Sequence, residues 1–172
     1  MRKFCFPILF AVLLTACSDG DLQVDTIDFD STTLQFCDDP VATSANILFK
    51  INTTEALILE LPSGVLDNGV VGETITTTST VPGQSKLTYR IFSDDVSSNY
   101  FCDDIPPISP NVVQEIEAQD GIVSIETVSD ADGTNFVHTI RLTEISFVAE
   151  NGERITNLAV EEFGEVNTVI SN

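Results

Sequence analysis

The stretch Ile47-Leu48-Phe49-Lys50-Ile51-Asn52-Thr53-Thr54-Glu55-Ala56-Leu57-Ile58-Leu59-Glu60-Leu61 decides the fold class. Two compact apolar runs, 47–51 and 56–61, flank the polar residues Asn52-Thr53-Thr54-Glu55. Runs this short, bounded by polar residues, favour strands over helices, and the polar residues between them read as a hairpin loop.

The same grammar continues on both sides. From Leu34 onward the pattern is β. Pro62 and Asp67-Asn68-Gly69 mark turns, Thr74 to Thr80 is threonine-rich and β-prone, and Pro82-Gly83 turns again. Leu87, Tyr89 and Ile91 alternate with Thr88 and Arg90, as a half-buried strand does. Asp94 to Pro110 reads as a loop, with paired acids, prolines and Cys102. Asn111 to Gln119 fits a strand better than a helix, because Val113 breaks the helical spacing set by Val112 and Ile116. Ile122 to Val128 is a strand and Ser129 to Asn135 a turn. Phe136 to Leu142 alternates, and Ile145 to Val148 continues in the opposite phase, which predicts a bulge near Thr143. Asn151-Gly152 is the strongest hairpin signal, since a type I′ turn needs two positive φ angles. Ile155 to Val160 returns, and Val166 to Ile170 is a last strand. The chain is therefore expected to be all-β, with little helix: an antiparallel β-sandwich or barrel of about nine to eleven strands, in one β-rich domain spanning 32–172.

The amino terminus follows different rules. Arg2 and Lys3 precede an almost unbroken apolar run, Phe4 to Leu14, too short to span a bilayer permanently. A positive start, a short apolar core and small residues before a cut describe a secretory signal. Leu14-Thr15-Ala16-Cys17 resembles the lipobox of bacterial lipoproteins. That resemblance implies removal of residues 1–16 and acylation of Cys17. Several acyl chains would then hold the protein to the membrane, at about 0.8 kcal/mol per buried methylene. Residues 17–31 read as an acidic linker, with Val24, Ile27 and Phe29 forming an edge strand at its end. Ser18 beside the lipid implies the outer membrane. Ser18-Asp19-Gly20-Asp21 resembles the export signals of surface-displayed lipoproteins in the Bacteroidota, so both a periplasmic and a surface-exposed placement stand open. Asp25-Thr26-Ile27 and Asp30-Ser31-Thr32 resemble the short O-glycosylation sequon of the same phylum, and also suit plain linker.

All 27 acidic residues lie beyond the signal, against five of the seven basic ones, leaving a net charge of −22. Such a surface repels phosphate, which excludes nucleic acid as a partner. It also repels anionic head groups, so lipid rather than a basic patch would provide the tether. Cys37 and Cys102 form an even pair in an oxidising compartment and read as a disulfide, with buried free thiols as the alternative.

Phe36-Cys37-Asp38-Asp39 recurs as Phe101-Cys102-Asp103-Asp104, and Ser44, Asn46 and Ile51 meet Ser109, Asn111 and Ile116 at the same offset. Related halves or coincidence both account for this echo. A bridge at the cysteines would bring Asp38, Asp39, Asp103 and Asp104 onto one patch. Their mutual repulsion makes a hard cation such as Ca²⁺ the one candidate cofactor, against carboxylates that fan into solvent. Asp130-Ala131-Asp132-Gly133-Thr134-Asn135 looks like a calcium loop but lacks the EF-hand order, and a hairpin turn explains it better. His138, the sole histidine, shares a strand face with Phe136, Ile140 and Leu142 and reads as a satisfied sheet residue. No nucleophile elbow is present, so no catalytic residue is assigned and no enzymatic activity is expected. Tryptophan is absent, and Tyr89 and Tyr100 are the only tyrosines, which leaves little to stack on a sugar.

Leu48 to Pro62, Tyr89-Arg90-Ile91-Phe92, Tyr100-Phe101-Cys102 and Asn111 to Glu117 together resemble small lipoproteins of the Bacteroidota. No chemical role attaches to these motifs, so the resemblance implies location and a β-rich domain. The function expected is a lipid-anchored, non-enzymatic binding or structural module of the cell envelope, taking an unknown protein or glycan ligand. A calcium- or glycan-binding accessory lipoprotein is the alternative.

Overall fold

A computed structural model describes residues 26–150, 152, 154–156, 158–160 and 162–170. The expected signal 1–16, the lipidation site Cys17, Ser18 to Asp21 and Asn151 lie outside the described residues. The elements are β1 (Ile27–Asp28), β2 (Asn46–Asn52), β3 (Glu55–Leu61), β4 (Ile75–Thr80), β5 (Lys86–Phe92), α1 (Asn99–Cys102), β6 (Val112–Ser129), β7 (Asn135–Val148), β8 (Arg154–Ile155), β9 (Leu158–Ala159) and β10 (Glu162–Val169).

The main path of pairing runs β10-β7-β6-β5-β3-β2, antiparallel throughout, with β4 on β6 and β8 on β7. Among the described residues β2 and β10 do not meet, so no barrel closes and the sandwich form is the one adopted. A single path makes two layers because its longest strands bend. β5 pairs with β6 up to Glu117, whereas β4 pairs with Ile122 to Thr127 of the same strand. At the corner the register with β7 shifts on both sides of Asp120, and Gly121 takes φ 139°. Such bulges let a strand pass from one layer to the next without losing its partners. The sequence predicts strands on either side of residues 120–121; they are one strand, because the bulge redirects the chain instead of ending it.

The predicted bulge near Thr143 is present in β7. Burial falls on His138, Ile140 and Leu142, then switches to Ile145 and Phe147, and Glu144 absorbs the extra residue at φ 57°. β10 starts at Glu162, earlier than Val166, because an irregularity between Glu162 and Gly164 carries the pairing onward. Gly164 is needed where Leu34 crosses: a Cβ there would lie 2.8 Å from that of Leu34.

The core fills the space between the layers. Leu57, Leu59, Leu87 and Tyr89 from one face meet Val123, Ile125, Ile140, Leu142 and Phe163 from the other. Ile27 and Phe29 join this core, so the packed domain takes in residues that the sequence assigns to the linker. Lys50 fastens that segment. Its buried Nζ donates to the carbonyls of Phe29 (3.2 Å) and Thr32 (2.8 Å) and sits 6.0 Å from the Phe163 ring centroid. Burial lowers the Lys50 pKa, with Asp30 and Glu162 opposing.

β3 is covered on both sides, which accounts for its nearly continuous apolar sequence. On the side away from the core, Phe49, Ala56, Ile58, Phe92 and Val96 form a second cluster under Tyr100 and Phe101. Phe49 stacks on Phe101 with centroids 4.5 Å apart, and Phe92 meets Tyr100 edge-on at 4.9 Å. Tyr100 and Phe101 reach this cluster from α1, inside the stretch read as loop. A single helical turn is too short to show a period; packing of its two partly buried rings on the second cluster holds it.

Candidate functional site

The site lies on the outer face of the β2-β3-β5 layer, beside the second aromatic cluster. Cys37 and Cys102 are joined by a disulfide with their Cα atoms 5.2 Å apart. The bridge ties the loop ahead of β2 to the end of α1. Between these two walls lies a groove of about 690 Å³. Asp38 and Asp39 follow the bridge on one wall, and Asp103 and Asp104 follow it on the other. Ile47, Phe49 and Ile58 contribute apolar floor, continued by Thr88 and by the ion-paired Lys86 and Arg90. Ile47 is 59% exposed and Val41 50%, so apolar surface reaches solvent here.

The first wall is fixed at both ends. The bridge holds one end. At the other, the buried Asn46 side chain accepts from Val41 N–H (2.9 Å) and donates to the carbonyls of Val41 (3.0 Å) and Ser44 (2.9 Å). Nothing about Asn46 in the sequence announces this clamp, because a loop-closing amide looks like any other turn asparagine. Lys86 Nζ lies 2.6 Å from Glu117 and 4.0 Å from Glu60, and its pKa is raised chiefly by the hydrogen bond to Glu117. Arg90 pairs with Glu115. Among the described residues no ion pair reaches Asp38, Asp39, Asp103 or Asp104.

The structure therefore brings the aspartate quartet to one groove, as the bridge predicts, but not to one point. Among the described residues no three carboxylate, cysteine or histidine side chains are grouped so as to hold a metal ion. The turn at 130–135 is a hairpin organised by Asp130. Its Oδ1 accepts from Thr134 N–H (2.8 Å), and its Oδ2 from Asn135 Nδ2 (2.9 Å) and the Thr134 hydroxyl (3.0 Å). These bonds, led by that from Asn135, hold its pKa down to about 2 and close the turn. His138 is fully buried and bonded at both nitrogens, Nδ1 to Thr127 and Nε2 to Thr168, each at 2.8 Å. Burial lowers its pKa to about 4, so it is neutral and has no open side for a substrate. Tyr89 lies in the core, and Tyr100 is partly buried against the second cluster.

The sequence echo does not extend into the packing. Ile51 leans on the second cluster, whereas its counterpart Ile116 belongs to the main core. The fold and the groove together define a two-layer β-sandwich with a disulfide-strapped outer groove. Comparison with protein families, curated proteins and solved structures gives no match.

Proposed function

We propose that this chain is a lipid-anchored binding module of a bacterial cell envelope, non-enzymatic, with the strapped groove as its binding face. The observation that carries the reading is the groove itself. It is the place where exposed apolar surface, unpaired charge and a rigid frame coincide, as they do at recognition sites. The disulfide that frames it suits an oxidising compartment outside the cytosol. The lipobox Leu14-Thr15-Ala16-Cys17 supplies the tether, Ser18 favours the outer membrane, and Ser18 to Asp21 suits display on its surface. A net charge of −22 on the remainder disfavours nucleic acid. The buried state of His138 supports a non-enzymatic reading, because the sole histidine has no access to a reacting group. A protein ligand is favoured over a glycan, since Tyr89 is buried in the core and the groove's charge and apolar floor suit a peptide.

The test of the tether is phase partitioning. Wild-type protein expressed in a Gram-negative host is expected to incorporate labelled palmitate and enter the detergent phase. Cys17→Ser is expected to lose both properties. Retention of label and detergent partitioning by the serine variant refutes the anchor.

A further inference from the structure

We infer that the groove receives an extended, positively charged protein segment, one that carries lysine or arginine beside an apolar side chain. This deepens the assignment of the groove as the binding face and rests on it. The argument begins with charge. The two cations of the floor, Lys86 and Arg90, are already engaged by Glu117 and Glu115. That leaves Asp38 and Asp39 facing the occupant from one wall and Asp103 and Asp104 from the other, without ion pairs among the described residues. An anionic occupant meets repulsion from both sides. Among the described residues a bare metal ion finds no three ligands grouped together. A peptide spreads its charges along its length, and so can match carboxylates held apart on two walls.

The floor selects for the apolar part. Ile47 is exposed on the floor of the groove, near the exposed Val41. The edge of β2 is met by the chain itself. Phe49 exchanges two hydrogen bonds of 2.8 Å with Gln35, on the side of β2 away from β3. In an antiparallel ladder alternate residues turn their polar groups the same way, so Ile47 presents its N–H and C=O along that edge too. Gln35 bridges Phe49, residues 36–45 loop from there back to Asn46, and Ile47 lines the groove. An extended segment laid in the groove reaches the Ile47 side chain and both acidic walls, with its apolar and basic side chains divided between them.

The experiment uses the full chain in nonionic detergent and a fluorescein-labelled peptide alternating lysine with valine, read by anisotropy. The control probe has glutamate in place of lysine. Binding to micelles is common to every protein sample and cancels between variants. The wild type is expected to bind the lysine probe and not the glutamate probe. Replacing the quartet with Asp38→Asn, Asp39→Asn, Asp103→Asn and Asp104→Asn is expected to weaken binding by about ten- to thirty-fold and to flatten its salt dependence. Ile47→Ser, which leaves the negative charge of the walls unchanged but removes the apolar contact, is expected to weaken it too. A remote set, Asp94→Asn, Asp95→Asn, Asp132→Asn and Glu144→Gln, removes the same charge elsewhere and is expected to leave affinity unchanged. Equal loss in the remote set means a bulk charge effect and overturns the inference. So does displacement of the probe by Ca²⁺ at equal concentration, and so does failure of the lysine probe to bind. None of these outcomes touches the palmitate and partitioning result, which tests the anchored-module reading separately.

Discussion

His138 provides the sharpest test of how this sandwich is held together. Its imidazole lies across β6, β7 and β10, fully buried, with Thr127 and Thr168 hydroxyls on its two nitrogens. Burial brings its pKa to about 4, down from the ordinary imidazole value of 6.5. A histidine whose native pKa lies below its unfolded value binds fewer protons in the folded state. Stability is therefore untouched above pH 6.5, falls as pH drops through the window from 6.5 to 4, and levels off below it. At 1.36 kcal/mol per pH unit, the native state loses about 2.5 kcal/mol between pH 7 and 4.5. Acidic residues contribute to the same pH profile, so the wild type must be compared with His138→Gln, which keeps a donor and an acceptor near the two threonines without titrating. Unfolding free energies from urea titrations at pH 7, 6, 5 and 4.5 measure the difference. The gap between the two proteins is expected to change by about 2.5 kcal/mol in favour of the glutamine variant across that range. Parallel curves would refute the buried neutral imidazole.

Two further outcomes follow from the frame. Cys37→Ser with Cys102→Ser opens a loop whose ends are 65 residues apart, which predicts a loss of about 4 kcal/mol in equilibrium unfolding by the chain-entropy model. Near-ultraviolet ellipticity from the Phe49–Phe101 and Phe92–Tyr100 pairs is expected to fall with it, and unchanged stability would show that the strap is ornamental. Gly121→Ala forces a side chain into φ 139°, with its Cβ 3.0 Å from Ile145 Cα and closer still to Ile145 Cδ1. A loss of about 2–4 kcal/mol is expected, from backbone strain plus overpacking at the corner. Gly133→Ala, at φ 65° with open space around it, is the milder comparison, and equal losses at both sites would remove the corner from the account.

Much of the architecture is legible without coordinates. The hairpin 47–61 pairs as its two apolar runs require, with Asn52 opposite Glu55. The reversal of phase after Leu142 marks the β7 bulge, because a period of two leaves no other way to keep Ile145 and Phe147 inside. Cys37 and Cys102 find each other, and the aspartates beside them come to one groove. These features are local, or they follow from composition and compartment.

The rest depends on what comes from far along the chain. Whether β6 is one strand or two turns on Gly121 meeting Ile145, residues that no local pattern links. The turn α1 forms because Phe49 and Phe92 wait beneath it. Ile27 and Phe29 look like the end of a spacer until the two layers open a core for them, and Lys50 looks solvated until backbone carbonyls surround its ammonium. The four aspartates beside the bridge line one groove, and among the described residues no three ligating side chains are grouped to hold a metal ion. Residue type and spacing dictate strands, turns and the bridge, since those arise from short-range sterics and alternation. Which charges stay unpaired, which rings stack and where a groove remains are set by three-dimensional neighbours, because burial and Coulomb energy depend on distance in space and not along the chain.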